Sequence, residues 1–144
     1  MTRLLGVDLG QRRIGLAVSD PSGTLARPLA TLTLAGVGTD EAVARVSAEI
    51  DRLAAETDGL DRVVVGLPTR LDGSPNEQTP RVAAFIAALR ARTPIPVVEA
   101  DERLTSHEAE ERLALREPDW RKRKARLDAA AAAVILQDYL DRRQ

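Results

Sequence analysis

The chain has 144 residues, 44% hydrophobic and 30% charged, the proportions of an ordinary globular protein with one domain expected over residues 1–144. Its 21 basic and 22 acidic side chains leave a formal charge of −1, so a nucleic-acid partner would have to be held by a local basic patch. The absence of cysteine excludes disulfides, thiolate zinc sites and cysteine nucleophiles, and an aromatic content of 2% argues against single-strand binding by base stacking.

Residues 4–9 and 14–19 are apolar runs joined by Gly10-Gln11-Arg12-Arg13, which predicts an antiparallel hairpin. Residues 24–34 read as a third strand, with Pro28 marking an edge or an irregularity. The period then changes. Val43, Val46, Ile50 and Leu53 recur at helical spacing after a cap at Thr39 or Asp40 and before Gly59. The Val-Val-Val run within residues 62–67 is typical of a strand buried on both faces of a parallel sheet. Thr79 as a cap with Pro80 at the first helical position opens a second helix, striped by Val82, Phe85, Ile86 and Leu89. Residues 95–100 form a fifth strand. Thr105 with Glu108 is a capping box for a third helix, which Pro118 closes. A last helix is expected from about Arg126 to Arg142, its alanine-rich first half allowing close approach to the sheet.

This order implies an α/β fold with a mixed five-stranded sheet. Three antiparallel strands lead, and the later strands, reached through helices, run parallel to the first. No basic n-region precedes an apolar stretch of signal length. The longest apolar run, residues 129–136, is far shorter than the about 20 residues a membrane span needs. A cytoplasmic protein without membrane contact is expected.

Ligand sites in open α/β sheets lie beyond the carboxyl ends of the parallel strands, and acids from distant segments map there. Asp8 ends the first strand, Asp101 and Glu102 end the fifth, and Asp128 falls in the first turn of the last helix as predicted. Asp8 before a glycine turn and Asp128 in a first helical turn each have a local explanation. Their convergence on one sheet edge favours a joint role. Carboxylates without histidine or cysteine suit Mg2+ or Mn2+ rather than zinc. Two such ions can activate water and stabilise the leaving oxygen of a phosphoryl displacement. Directly before Asp128 stand Arg121, Lys122, Arg123, Lys124 and Arg126, which with Arg12, Arg13 and Arg103 would hold a phosphate backbone. His107 has no second histidine one turn away and reads as a capping or surface residue.

The ordered blocks Gly6-Val7-Asp8-Leu9-Gly10, Arg13-Ile14-Gly15, Val65-Gly66-Leu67-Pro68, Asp72-Gly73-Ser74, Asp101-Glu102-Arg103-Leu104-Thr105-Ser106 and Asp128 through Ile135-Leu136 resemble the YqgF (RuvX) family over essentially the whole chain. The resemblance implies a Holliday-junction-resolvase-like variant of the ribonuclease H fold. It also implies a nuclease trimming the 5′ end of precursor 16S ribosomal RNA, with its acids at Asp8, Glu102 and Asp128 and Asp101 as a further metal ligand. Two departures stand out. Thr69-Arg70-Leu71 replaces an asparagine-methionine type stretch, and Gly66-Leu67 stands where related resolvases carry a fourth acid.

The expected partner is structured RNA or, in a variant of the same site, branched DNA, with the protein a monomer or a homodimer. A sugar-kinase or actin-like ATPase also places Asp-x-Gly after its first strand but requires a second lobe. A non-catalytic ribosome-assembly or transcription-linked protein is the third alternative.

Overall fold

The computed structural model describes residues 2–36, 38–101 and 120–143, of which 120–126 as backbone only. Strands β1 (Arg3–Leu9), β2 (Arg13–Ser19) and β3 (Ala26–Thr33) are followed by helix α1 (Thr39–Ala55), β4 (Leu60–Leu67), α2 (Thr79–Arg92), β5 (Val97–Asp101) and α3 (Trp120–Arg142). The sheet order is β3-β2-β1-β4-β5. The β1–β2 and β2–β3 pairs are antiparallel, while β4 and β5 run parallel to β1. This is the mixed sheet that the order of apolar periods predicts. Pro28 pairs with Ala17 where the β2–β3 register shifts, on the edge strand, because proline cannot donate to the ladder and is tolerated at an irregularity.

Alternation along β1 divides the core. Leu5, Val7 and Leu9 pack with Val46, Ile50 and Leu53 of α1 and with Phe85, Ile86 and Leu89 of α2. Leu4, on the other face, packs with Ala17, Val64 and the α3 residues Ala132, Ile135, Leu136 and Leu140. Among the described residues, the sheet therefore carries α1 and α2 on one face and α3 on the other. The predicted third helix around Thr105 and Glu108 lies outside the described residues.

Three boundaries differ from the sequence reading. Helix α1 begins at Thr39 with Gly38 at its N-cap and no side-chain cap; neither Thr39 nor Asp40 serves. Glu41 instead reaches back to the N–H groups of Ala35 and Gly36. At α2, Thr79 is already helical. Asn76 Oδ1 accepts from the N–H groups of Gln78 and Thr79, and the Thr79 hydroxyl accepts from the Asn76 N–H. This reciprocal arrangement has the logic of a capping box. The largest change is in α3, which starts at Trp120 rather than near Arg126. Arginine, lysine and alanine are strong helix formers, so the basic run forms the first turns of the helix and is no separate loop.

Candidate active site

Asp8 is the sixth residue of β1 and pairs directly with Gly15 of β2. Its side chain shares the α3 face with Leu4 and Gly6. At Gly6 an added Cβ would meet Leu136 Cβ at 2.8 Å and the Ala132 carbonyl at 3.0 Å. At Gly15 it would lie 1.8 Å from the Asp128 carbonyl oxygen, so no L side chain fits between β2 and the helix. Directly paired antiparallel residues have Cβ positions about 4.5–5.5 Å apart on the same face. The backbone of Asp128 therefore crosses the sheet beside Asp8. Two glycines and the small alanines of α3 create that approach.

Asp128 stands in the third turn of α3, not the first, as the helix begins at Trp120. The local explanation through the helix dipole is thereby removed, since that effect fades beyond the first turn. Its Oδ2 accepts from Arg13 Nε at 2.7 Å, and both side chains are partly buried. Arg13, expected to touch nucleic acid, thus holds a candidate catalytic acid in place. The turn before it is closed by the Gly10 N–H donating to the Arg13 carbonyl at 2.8 Å. Arg12 is exposed, and its carbonyl accepts from the Leu34 N–H.

Asp101 ends β5 opposite Leu67. It alternates with Ala100, which packs on the α3 side, and its Oδ1 accepts from the Thr69 hydroxyl at 3.1 Å. Glu102, Arg103 and His107 lie outside the described residues. Arg121, Lys122, Arg123, Lys124 and Arg126 occupy helical backbone in the two turns before Asp128. Among the described residues no three histidine, cysteine or acidic groups lie close enough together to hold a metal ion, and the third acid of the expected set is Glu102.

The described donors, Asp8 and Asp128, offer carboxylate oxygen only, which fits a hard divalent cation such as Mg2+ or Mn2+. Sequence reasoning missed Arg13 as the partner of Asp128, and it missed Thr69. The first contact joins residues 115 apart, and no local pattern encodes it.

The sheet order, with α3 laid across β1 and β2, is that of the ribonuclease H-like fold. Matches to solved structures agree in fold. Thermus thermophilus RuvC in complex with a Holliday junction substrate matches at TM-score 0.58 and 17% identity, over 99% of this chain and 96% of RuvC. An inorganic polyphosphate/ATP-glucomannokinase from Arthrobacter shares the fold less completely, at TM-score 0.50 and 14% identity, over 78% of this chain but 48% of the kinase. The family model RuvX, described as Holliday junction resolvase, matches residues 2–142, and the chain belongs to that family. A relative from Desulforudis audaxviator is 39% identical over 99% of this chain and 96% of its own length. Another, from Chloroflexus aggregans, is 43% identical over 98% and 94% respectively. Both carry the provisional name of a pre-16S rRNA nuclease.

Proposed function

We propose that the chain is a divalent-metal-dependent nuclease of the cytoplasm that hydrolyses phosphodiester bonds in 5′-end processing of precursor 16S rRNA. Asp8, Glu102 and Asp128 are its catalytic acids and metal ligands. The observation carrying this reading is the passage of the Asp128 backbone over Gly15, directly opposite Asp8. It brings acids from the two ends of the chain to one sheet edge, and the relatives' names supply the substrate.

In hydrolysis, water attacks phosphorus in line with the departing ester oxygen. Mg2+ or Mn2+, as one ion or two, would activate that water and take up charge on the leaving oxygen. The chain's own residues do the positioning. Asp8 is fixed by the β1 ladder and Asp128 by α3. Arg13 offsets the charge of Asp128 and orients its carboxylate. Arg12, Arg103 and the basic residues 121–126 hold the phosphate backbone, and Asp101 is a further candidate metal ligand.

The test is cleavage of a precursor 16S rRNA leader in Mn2+ by the parent chain and by Asp8→Asn. Loss of about a hundredfold or more in the variant, with unchanged thermal unfolding, is expected. Equal rates would remove Asp8 from the site. The family description favours one second reading, resolution of four-way DNA junctions by a homodimer, so a junction substrate belongs in the same assay. Should Asp8→Asn complement depletion of the parent in cells, the protein acts by binding rather than by cleavage.

A further inference from the structure

We infer that Arg81 is a positioning residue for the candidate active site, acting through the turn that joins β1 to β2. The inference rests on the nuclease reading only for its kinetic consequence. Arg81 is the third residue of α2 (Thr79–Arg92), on the face of the sheet opposite Asp8. Its Nη2 donates to the Gly10 carbonyl at 2.9 Å.

Two local features oppose an arginine there. A cation in the first turn of a helix faces the positive end of the helix dipole, and that turn of α2 contains no acidic residue to offset it. In addition, Nη1 is buried with no hydrogen-bond partner among the described residues, a costly condition that marks a group held for another purpose. The other nitrogen shows that purpose.

Gly10 is the hinge of the site. Its carbonyl takes the Arg81 bond, while its N–H donates to the Arg13 carbonyl at 2.8 Å. A Cβ at Gly10 would lie 2.6 Å from that same carbonyl, so the turn is closed tightly on itself. Asp8 enters the turn two residues earlier. Arg13 leaves it and bonds Asp128 Oδ2. One guanidinium contact from behind the sheet thus fixes the exit direction of Asp8 and the start of the arm that holds Asp128. The N-terminus of α2 is itself anchored, because the Thr79 hydroxyl donates to the Pro68 carbonyl beyond β4. Arg81 therefore transmits a fixed position to the turn.

The experiment compares Arg81→Met, which keeps the stem and removes the donors, with Arg81→Lys, whose ammonium can still reach one carbonyl. Three quantities are read on the full chain: RNA cleavage kinetics, Mn2+ binding followed by water-proton relaxation, and hydrogen exchange at the Gly10 amide. Groups that orient metal ligands from behind typically cost about 10–100-fold when removed. Arg81→Met is accordingly expected to lower kcat about tenfold with KM for RNA unchanged, to weaken Mn2+ binding by a similar factor, and to speed Gly10 exchange. Arg81→Lys should recover kcat to within about threefold of the parent. If the methionine variant does not fold, Arg81→Gln replaces it. Unchanged Mn2+ binding and kcat in a folded variant would overturn the inference, as would a rise in KM at parental kcat, which would mean direct substrate contact. A parent chain that cleaves no RNA defeats the nuclease reading alone; the Mn2+ titration and Gly10 exchange still decide the role of Arg81.

Discussion

Arg13 and Asp128 form the most consequential contact between single residues. The pair is partly exposed, so its net worth to stability is about 1 kcal/mol or less. Its effect on the site is larger, because Arg13 orders the Asp128 carboxylate beside Asp8. Arg13→Gln is expected to weaken Mn2+ binding severalfold while barely moving the thermal transition, as isothermal titration and a melting curve would show. Tighter binding would mean that Arg13 competes with the cation for the carboxylate rather than ordering it. Asp20, in the β2–β3 turn, provides a pH prediction. The Ser22 hydroxyl and the N–H groups of Leu25 and Thr24 hold its carboxyl down to about 2, against an ordinary 3.8. A depressed folded value contributes stability that is complete above the unfolded value and is lost as pH falls from about 3.8 through about 2. Carbon-detected NMR of Asp20 should therefore give a midpoint near 2, and Asp20→Asn should abolish the titration and loosen the Thr24 and Leu25 amides. A midpoint at the ordinary value would mean that the turn does not hold this geometry in solution.

At the scale of elements, the distance between α3 and the sheet is set by what β1 and β2 omit. Gly15→Ala would place a methyl carbon 1.8 Å from the Asp128 carbonyl, a backbone atom that cannot rotate away. Overpacking of this kind typically costs about 1–3 kcal/mol, and here the upper part of that range is expected, together with loss of Mn2+ binding as Asp128 lifts from Asp8. Gly6→Ala meets Leu136 Cβ and the Ala132 carbonyl at 2.8 and 3.0 Å and should be milder. Gly36→Ala, with nothing within 4 Å, is the neutral control. Urea unfolding of the three variants checks the ranking, and a stable Gly15→Ala would refute the close approach. The same elements show what a sequence discloses. The strands, α1 and the stripe of α2 were legible because their apolar periods are local, as was Pro28 because its missing N–H is a local defect. The start of α3 was not. Residues 120–126 hold charged helix formers without an apolar stripe, so periodicity had nothing to register before Leu127. Asp8 was visible as an acid near a strand end, whereas Asp128 was read at a helix start and lies in the third turn of α3. Their meeting depends on Gly15, whose omitted side chain has no signature until the helix is laid over it.

For the molecule as a whole, charge is the deciding quantity. A net charge of −1 gives no general attraction to RNA, so the proposed phosphate contacts call for a local concentration of cations. The structure puts Lys124 one helical turn and Arg121 two turns before Asp128, with Arg12 exposed at the turn after Asp8. Each phosphate neutralised by a basic side chain releases counterions, and for a single strand the logarithm of affinity then falls by about 0.7 per contact for each tenfold rise in salt. Lys122→Gln with Lys124→Gln should weaken binding of RNAs of unrelated sequence to a similar degree and flatten the salt slope by about 1.4 if both lysines meet phosphate. Asp8→Asn removes an acid and no cation, so it should leave the slope intact even though it stops cleavage. Fluorescence anisotropy of a labelled RNA leader across a salt series separates these outcomes. An unchanged slope in the double lysine variant would move the phosphate track away from α3 and onto Arg12 and Arg103.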